Sequence, residues 1–400
     1  MHTQDLTPGG TPSTEAGGSA AKPATAASDT SRFQFLDVLR GLTIASMILV
    51  NTSGDASHTY PILAHSRWNG CTFADVIFPC FLFMVGISGA ISVTRRLQCG
   101  VGKGDIIRAA LRRSAILFAF GIVVNGFPHF PMHTLRIFGV LQRIALCYLA
   151  TTLLFLWFRT RTLIFLTIST LVGYWIILRW APVPGIGVPG GTIPLLDPHA
   201  NWPAWLDRHL LPARHLYHQG FYDPEGLLST VPAIASTLIG SLTGVWLLRE
   251  RNRGRAARGL LLASMLCLAC GLACSHWLPF NKRLWTSSYV LWTGGIDLLA
   301  LCIAYWLIDI LRVTVRWFYP AVVFGTNALG VYIFSELFAS LLGSIHVMAY
   351  GVSLQHWLYL PLAEAIRNPS IAALSYALLF VCVCFVPAWL LYRNQVFLKV

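Results

Sequence analysis

Long apolar runs alternate with short polar connections along most of this 400-residue chain. A run of about 20 apolar residues is long enough to cross the hydrocarbon core of a bilayer as a helix. The predicted fold class is therefore all-α, a polytopic transmembrane helix bundle of about ten spans. The spans are predicted at about 34–52, 72–94, 106–125, 136–157, 161–180, 229–248, 259–277, 285–309, 318–345 and 371–392.

Residues 1–31 differ from the rest of the chain because they are rich in Gly, Ala, Ser, Thr and Pro. Such a segment has too few large apolar side chains to form a core, so we expect a disordered cytoplasmic tail. No basic stretch directly precedes a short apolar core, which argues against a cleavable signal. The first span is then expected to direct its own insertion, and residues 32–400 to form one transmembrane domain.

Composition agrees with a membrane protein, since 56% of the residues are hydrophobic, only 11% are charged and the mean hydropathy is +0.63. Soluble domains have about 25% charged residues. A net charge of +13 is also compatible with nucleic-acid binding. The basic residues lie mostly in short loops between apolar spans, however, and this is typical of topology determinants rather than of a nucleic-acid interface.

The distribution of basic residues predicts the orientation. With ten spans most of them fall on one side, which the positive-inside rule assigns to the cytoplasm. Both termini are then cytoplasmic, in an inner (cytoplasmic) membrane, and the long connection 181–228 is extracytoplasmic. Lys282 and Arg283 are a local exception on the outer side. The residues that set the orientation are Lys22, Arg32, Arg95, Arg96, Lys103, Arg108, Arg112, Arg113, Arg249, Arg251, Arg253, Arg255, Arg258, Arg312, Arg316, Arg393 and Lys399.

Candidate chemistry is concentrated around the first two spans. A charge in a bilayer costs a few kcal/mol unless it is paired or faces a polar cavity. His65, in the loop between these spans, is a candidate general base or nucleophile, although a loop histidine is more often a plain surface residue. Asn51 is a candidate for orienting the acceptor or binding an oxyanion, and its alternative role is a helix-end cap. Trp68 and Asn69 follow His65 directly.

Several further polar residues are predicted to be supporting or substrate-binding groups. Asp75 and Arg143 both lie near the outer ends of their spans, so we expect a buried pair, structural or catalytic, with Gln142 beside it. Asp37 and Arg40 share one helix face, and Arg40 either binds a phosphate or pairs with Asp37. The remaining positions either line the same cavity or tie helices together by hydrogen bonds; they are Ser287, Asp297, Asn327 and Glu336.

The connection 181–228 combines aromatic and polar side chains, which suits a sugar-binding surface and equally an interfacial helix anchored by Trp and Tyr. No Walker loop, zincin motif or GxSxG elbow is present, so neither ATP-driven machinery nor a metal is expected. The residues that suggest the sugar-binding alternative are Trp202, Trp205, His209, His215, His218, Tyr222 and Asp223.

Taken in order, these segments resemble the heparan-α-glucosaminide N-acetyltransferase family in a short bacterial form. The block from His65 to Pro79 is the most specific part. The resemblance rests on Leu36-Asp37-Val38-Leu39-Arg40-Gly41, Val50-Asn51, His65-Ser66-Arg67-Trp68-Asn69-Gly70, Thr72, Ala74-Asp75, Phe78-Pro79, Gly139-Val140-Leu141-Gln142-Arg143, Trp285-Thr286-Ser287-Ser288-Tyr289-Val290 and Asn327-Ala328-Leu329.

The resemblance implies an enzyme that passes an acetyl group from cytosolic acetyl-CoA to the amine of a glucosamine-type sugar on the outer side. The family's active-site histidine matches His65 and its partner asparagine matches Asn51, although the spacing between them is longer here. The coenzyme would meet Arg40 and Asp37 at the cytoplasmic mouth. The animal enzyme has a lumenal N-terminal region and an extra span with no counterpart here, so acceptor and oligomeric state stay open, with a homodimer as a candidate.

Two alternatives are compatible with the same sequence. Asp37-Val38-Leu39-Arg40-Gly41 also resembles the broader membrane sugar O-acyltransferases, so O-acetylation of a cell-surface glycan is the second enzymatic hypothesis. A transporter or flippase for a glycan or lipid-linked sugar is the alternative of a different class, because about ten spans alone are equally compatible with it. Whether His65 carries the acetyl group or only removes a proton is open as well.

Overall fold

The computed structural model describes residues 34–347 and 351–397. The predicted disordered tail and three of the orientation residues (Lys22, Arg32 and Lys399) lie outside these ranges. The helices are α1 (Gln34–Asn51), α2 (Phe73–Gln98), α3 (Lys103–Gly126), α4 (Val140–Trp157), α5 (Thr160–Trp180), α6 (Trp202–Leu210), α7 (Leu227–Arg249), α8 (Arg253–Ser275), α9 (Ser287–Tyr305), α10 (Tyr319–Thr326), α11 (Ala328–Ser344), α12 (Leu354–Ala365) and α13 (Pro369–Arg393).

The described chain is mostly helical, with one small hairpin between α11 and α12. Its strands are β1 (His346–Val347) and β2 (Val352–Ser353), and they pair antiparallel with His346 opposite Ser353. One turn of π-helix, Trp306–Ile310, extends α9, and short 3-10 turns occupy the connections. The prediction of a helical bundle is confirmed at this level.

Eight of the described helices are long and apolar enough to cross a membrane: α1, α2, α4, α5, α7, α8, α9 with its π-turn, and α13. The predicted span 318–345 is a broken one, because Val315–Thr326 and Ala328–Ser344 meet at a bend of 71°. Counted as one unit, this pair brings the number to nine. The helix α3 is not among them, although the sequence predicts a span there.

When α3 is included, each long helix begins at the end of the bundle where the preceding one finishes, so the connections fall on two faces of the bundle. One face carries the loop 52–72 with His65, the connection 181–226, and the loop between α8 and α9. We call it the His65 face. The opposite face carries the N-terminal end of α1 with Asp37 and Arg40, and the ends of α2, α4, α7 and α9. We call it the Arg40 face.

Small residues bring the central helices into close contact. A Cβ added at Gly41 of α1 would lie 1.6 Å from the backbone oxygen of Ala321 in α10. A Cβ at Gly240 of α7 would lie 2.0 Å from the oxygen of Phe83 in α2. Close backbone approach of this kind is the usual basis of helix packing within membranes. The backbones of α1 and α10, and those of α2 and α7, are therefore held in direct contact.

The periphery of the bundle is apolar and suited to lipid. Large exposed hydrophobic side chains lie along α5 and α8, among them Phe165, Ile168, Leu262 and Leu266. In α2, α7 and α9 most side chains are buried instead. These three central helices carry or support the polar groups described next.

Candidate active site

The loop that carries His65 is anchored to the first turn of α2. Thr72 caps this helix in a capping box with Asp75, and the Thr72 hydroxyl also donates to the oxygen of Ala64 at 2.8 Å. Oδ2 of Asp75 accepts from the backbone N–H of Ser66 at 3.0 Å and from the N–H of Thr72 at 3.2 Å. The carboxylate of Asp75 is thus fixed by the same contacts that begin the helix.

His65 and Lys282 meet at the other oxygen of this carboxylate. Nδ1 of His65 lies 2.9 Å from Oδ1 of Asp75, and Nζ of Lys282 lies 3.4 Å from the same oxygen. The side chain of Asp75 is 1% exposed, whereas that of His65 is 43% exposed. With Nδ1–H donating to the carboxylate, Nε2 of His65 keeps its lone pair. This is the arrangement required of a general base or nucleophile.

The loop between α8 and α9 is held against the His65 loop by backbone and side-chain hydrogen bonds. The N–H of Gly70 donates to the oxygen of Phe280 at 2.8 Å, and the amide of Asn281 donates to Oδ1 of Asn69 at 3.1 Å. Trp285 is fully buried in a left-handed backbone conformation with φ of 54°. These contacts fix the position of Lys282, between Asn281 and Trp285.

A cavity of about 900 Å³, its open mouth included, surrounds these groups on the His65 face. Asn51, at the end of α1, lines the same cavity and donates to Oε1 of Glu336 at 3.1 Å. The predicted pair of site residues is therefore brought to one cavity, with Asn51 bound to Glu336 of α11. The other lining residues are Met47, Val50, Ser66, Ala74, Asp75, Ile77, Phe78, Arg136, Val140, Tyr217, Pro224, Glu225, Lys282, Arg283 and Tyr332.

The opposite wall of this cavity is an ion-pair cluster. Nε of Arg136 donates to Oδ2 of Asp223 at 2.9 Å, and Nη2 of Arg136 also contacts Glu225. Burial alone would lower the pKa of Arg136, but the two carboxylates raise it above its ordinary value. Burial would likewise raise the pKa of Glu225, and the guanidiniums of Arg136 and Arg143 lower it instead. Arg136 and Glu225 therefore stabilise each other in their charged forms.

Asp207 of α6 lies behind this cluster. Its Oδ2 accepts from the N–H of Asp223 at 2.9 Å, and its Oδ1 has no partner among the described residues. Burial raises the pKa of Asp207 to about 6, and the neighbouring Asp223 carboxylate adds to the effect. Asp207 is thus a buried carboxyl that changes charge near neutral pH.

A second cavity opens on the Arg40 face and encloses about 1220 Å³ with its mouth. Arg40 pairs with Asp37 at 2.8 Å, and its Nη2 donates to Ser88 at 3.0 Å. Arg113 lies over the ring of Tyr148 at 4.7 Å, and its Nε has no hydrogen-bond partner among the described residues. Both residues line the cavity, and the unpartnered Nε of Arg113 is a buried atom.

The two cavities are close to each other inside the bundle. Along α2 the first is lined by Phe78 and the second by Phe81; along α4 the first is lined by Val140 and the second by Ile144. Residues three or four apart on a helix are separated by about one turn, 5.4 Å. The two cavities are therefore about one helical turn apart along both helices.

The predicted pair of Asp75 and Arg143 is wrong. Asp75 binds His65 and Lys282 instead, whereas Arg143 donates to the oxygen of Pro224 at 2.7 Å and lies 4.9 Å from the ring centre of Trp285. The side chain of Gln142 is buried and makes no hydrogen bond among the described residues. This hydrogen bond joins α4 to the segment before α7. It also provides an acceptor for a guanidinium that is buried and needs one.

Of the two alternatives for the later polar positions, one common cavity is not what the structure has, and Ser287 shows the other, a hydrogen bond that ties two helices together. Ser287 is buried and donates to the oxygen of Leu171, which ties α9 to α5. Asn327 lies at the break between α10 and α11, lines the cavity on the Arg40 face and donates to the oxygen of Val396. Asp297 is buried in α9 beside a groove on the flank of the bundle. Only Glu336 contacts the His65 cavity, through Asn51.

Trp68 and Asn69 support the His65 loop. The indole N–H of Trp68 donates to the oxygen of Leu196 at 2.7 Å, and its ring meets Tyr222 edge to face. Asn69 accepts from Asn281, as described above. Both therefore hold the loop in place and are not among the residues that line the cavity.

The aromatic connection 181–226 divides into two parts. The ring of Trp205 in α6 stacks on His209 at 3.9 Å and meets Trp202 edge to face at 5.3 Å, away from the His65 cavity. Tyr222 accepts a hydrogen bond from Arg283 at 2.6 Å, and Asp223 belongs to the ion-pair cluster. Of this connection, Tyr217, Pro224 and Glu225 line the His65 cavity.

Sequence reasoning missed Lys282, Arg136 and Glu225 as residues of the cavity. In the sequence, Lys282 is distinguished only as a basic residue on the predicted outer side, where such residues are fewer. Arg136 and Glu225 are far apart in the chain, and no local pattern connects them. Their shared position follows from the packing of the connection 181–226 on the ends of α3 and α4.

The fold and the site together define the class of the protein: a polytopic membrane protein with a histidine, a carboxylate and a lysine clustered at one face. The model of the heparan-alpha-glucosaminide N-acetyltransferase catalytic family matches residues 32–278. The chain belongs to this family, a family of membrane N-acetyltransferases.

Two relatives carry the name heparan-alpha-glucosaminide N-acetyltransferase. The mouse protein is 31% identical over 370 residues, which cover 79% of this chain and 55% of the relative. The human protein is 29% identical over 365 residues, which cover 77% of this chain and 53% of the relative. The chain thus spans about half the length of the curated relatives it matches.

Proposed function

We propose that this protein transfers the acetyl group of cytosolic acetyl-CoA to the amine of a glucosamine-type sugar on the extracytoplasmic side of the inner membrane. The observation that carries the proposal is the contact of His65 with Asp75 in a cavity that is open to solvent, in a chain of this family. The relatives are named for N-acetyl transfer to a glucosaminide, which supports an amine acceptor.

The sidedness is supported by the basic residues. Those that connect α2 to α3 and α7 to α8 lie on the Arg40 face, and such residues are typical of the cytoplasmic side. The Arg40 face is then cytoplasmic and the His65 face extracytoplasmic. The residues concerned are Arg95, Arg96, Lys103, Arg108, Arg249, Arg251, Arg253, Arg255 and Arg258.

The residues of the second cavity fit the acetyl donor. Arg40 and Arg113 both line this cavity, and the buried Nε of Arg113 lacks a partner within the described chain. Guanidinium groups bind phosphate oxygens well because their N–H groups form a planar fork. We therefore infer that Arg40 and Arg113 hold the diphosphate, while Asp37 fixes Arg40. The donor supplies an activated thioester carbonyl.

The chemistry at the other cavity is assigned to His65 and Asn51. Nε2 of His65 accepts the proton that the attacking amine loses while the new C–N bond forms and the thioester C–S bond breaks. The leaving thiolate takes a proton from solvent or from the same imidazole. Asn51, held by Glu336, offers its amide to the acceptor or to the carbonyl oxygen on which negative charge develops.

The direct test is acetyl transfer from radiolabelled acetyl-CoA to glucosamine-type acceptors by purified protein in lipid nanodiscs. Replacement of His65 by Ala should reduce kcat by about three orders of magnitude, since a general base contributes up to 10⁴-fold. Binding of acetyl-CoA by His65→Ala, measured calorimetrically, should stay within about twofold of the unsubstituted protein. Lys103→Met, a change on the opposite face, is the control for handling and folding.

The acceptor screen separates this proposal from its alternatives. Transfer to glucosamine but not to N-acetylglucosamine supports N-acetylation, because the second sugar offers only hydroxyl groups. Equal transfer to both would favour O-acetylation. Movement of a glycan into vesicles without release of CoA thiol would favour a transporter. Full activity of His65→Ala would remove the site assignment.

A further inference from the structure

We propose that Lys282 is a positioning residue that keeps His65 in the neutral form with its proton on Nδ1. Nζ of Lys282 lies 3.1 Å from Nδ1 of His65 and 3.4 Å from Oδ1 of Asp75. The inference rests on the proposed function for its activity readout only, because the protonation of His65 can be followed without turnover.

The first step is the state of Asp75. Its two oxygens lie within reach of four donor groups: His65 Nδ1, Lys282 Nζ, and the backbone N–H groups of Ser66 and Thr72. A carboxylate accepts all of these, whereas a protonated carboxyl loses one acceptor position. The geometry is thus that of an ionised Asp75 that is fixed in orientation.

The second step is the tautomer of His65. If Nδ1 carried the lone pair, that lone pair would face the carboxylate oxygen of Asp75 at 2.9 Å, which is repulsive. Nδ1–H must therefore donate to Asp75. Since Nδ1 then has no free lone pair, its 3.1 Å contact with Lys282 is not a hydrogen bond. Lys282 donates to Asp75 and lies beside the imidazole as a second donor to the same carboxylate.

The third step is the charge of His65. A carboxylate beside an imidazole favours the imidazolium form, which has no lone pair and is useless as a base. A cation in the same position disfavours it by like-charge repulsion. Burial lowers the pKa of Lys282, and the carboxylates of Asp75 and Glu225 oppose this effect. While Lys282 is charged, it offsets Asp75 and leaves Nε2 of His65 free.

Other charges act on His65 from the surrounding elements. Arg136 lies in the connection before α4, Glu225 lies in the connection before α7, and Arg283 follows Lys282 directly. Glu336 of α11 faces the cavity through Asn51, and Tyr217 and Tyr332 line it. Cys71 interacts with Asp75, and the hydroxyl of Tyr289 in α9 donates to the backbone oxygen of Asp75. Arg136 is paired with both Glu225 and Asp223, and Arg283 donates to Tyr222. Lys282 is the cation that contacts both members of the His65–Asp75 pair.

The inference also accounts for a feature of the topology. Lys282 and Arg283 lie on the face that has fewer basic residues, and the positive-inside rule offers no reason for them there. Both have local partners: Lys282 binds Asp75, and Arg283 donates to Tyr222. A role in the site explains why a lysine occupies an unfavourable position for insertion.

The experiment compares Lys282→Met, which removes the charge, with Lys282→Arg, which keeps it. Diethyl pyrocarbonate reacts with the unprotonated imidazole only, so peptide mass spectrometry of the His65 modification rate against pH reports its protonation. The midpoint should move to higher pH by about one unit or more in Lys282→Met, and by less than half of that in Lys282→Arg. Lys103→Met, a Lys-to-Met change at an exposed site, should leave the midpoint unchanged.

Activity gives the second readout. The acidic limb of the pH profile of kcat/KM should shift upward in Lys282→Met by the same amount, so that activity falls about tenfold at pH 6.5 and recovers at higher pH. A uniform loss at every pH with an unchanged modification midpoint would overturn the inference. If the unsubstituted protein transfers no acetyl group, the proposed function fails, and the modification midpoints still decide the role of Lys282.

Discussion

The two cavities of this protein contain similar charged groups but satisfy them in different ways. On the His65 face, Asp75 receives donors on both oxygens, and Arg136 is bound by two carboxylates. On the Arg40 face, Arg40 has one carboxylate partner and Arg113 has a donor with no partner in the described chain. A fixed network suits proton transfer, whereas spare donors suit the binding of an incoming anion.

The difference also concerns exposure. Side chains of Asp75 and Asp223 are 1% and 0% exposed, while Asp37 is 41% exposed. Interactions between buried charges are weakly screened, and removing one partner leaves the other uncompensated. Substitutions at the His65 face should therefore alter rate or stability sharply. Those at the Arg40 face should alter donor affinity mildly.

The largest effect is expected for Asp75→Asn. The amide retains the size of the carboxyl but offers Nδ1 of His65 no negative charge and permits the wrong tautomer. In comparable histidine–aspartate pairs this change lowers kcat by about 10⁴-fold. The rate of acetyl transfer is measured under single-turnover conditions, and the affinity for the acetyl donor is measured in parallel. If Asp75→Asn and Asp37→Asn lost activity equally, the contrast between the two cavities would disappear.

Arg136→Met should destabilise the fold more than any single change at the Arg40 face. It leaves Asp223 and Glu225 buried without their cation, and breaking a buried pair costs about 3–5 kcal/mol. Thermal unfolding in detergent at pH 7.5 measures this. Arg40→Met, whose partner Asp37 is partly exposed, is the matched control and should change the unfolding temperature little. Similar shifts for both variants would contradict the comparison.

Asp207 adds a pH dependence to the His65 face. Its pKa is raised to about 6 from the ordinary 3.8, so the folded state binds the proton more tightly than the unfolded state does. The tighter proton binding contributes stability that is fully present below about pH 3.8 and is lost as the pH rises through 6. A shift of two pKa units corresponds to about 3 kcal/mol in the free energy of unfolding.

Asp207→Asn should therefore be more stable than the unsubstituted protein at pH 7.5, and the advantage should vanish near pH 4. Thermal unfolding followed from pH 4 to 8 tests this. Asp105→Asn, at an exposed residue of α3, should follow the unsubstituted protein throughout. If the unfolding temperature of Asp207→Asn ran parallel to that of the unsubstituted protein at every pH, Asp207 would not be the source of the pH dependence.

The smallest effect is expected for Arg113→Gln. Losing one guanidinium contact to a phosphate costs about 1–2 kcal/mol, which corresponds to a roughly tenfold weaker acetyl-CoA affinity with little change in kcat. Calorimetric titration with acetyl-CoA measures the affinity, and titration with dephosphorylated pantetheine should show no difference between the proteins. A fall in kcat at unchanged affinity would move Arg113 from donor binding to chemistry.

Much of this molecule could be predicted from its sequence. Apolar runs of the length of a bilayer predict most spans, because helices are the structures that satisfy their own backbone in lipid. His65 and Asn51 could be selected because polar groups near two spans, in a family motif, are unlikely to be incidental. The structure brings both residues to one cavity.

The tertiary structure alone decided which charges meet. The sequence suggested that Asp75 pairs with Arg143, since both lie at similar depth, but depth does not determine which side of a helix faces which neighbour. Hydrogen bonds between the His65 loop and the Phe280–Asn281 segment bring Lys282 to Asp75 instead. Partners separated by hundreds of residues are chosen by helix rotation and loop packing, and a single sequence carries no local pattern for either.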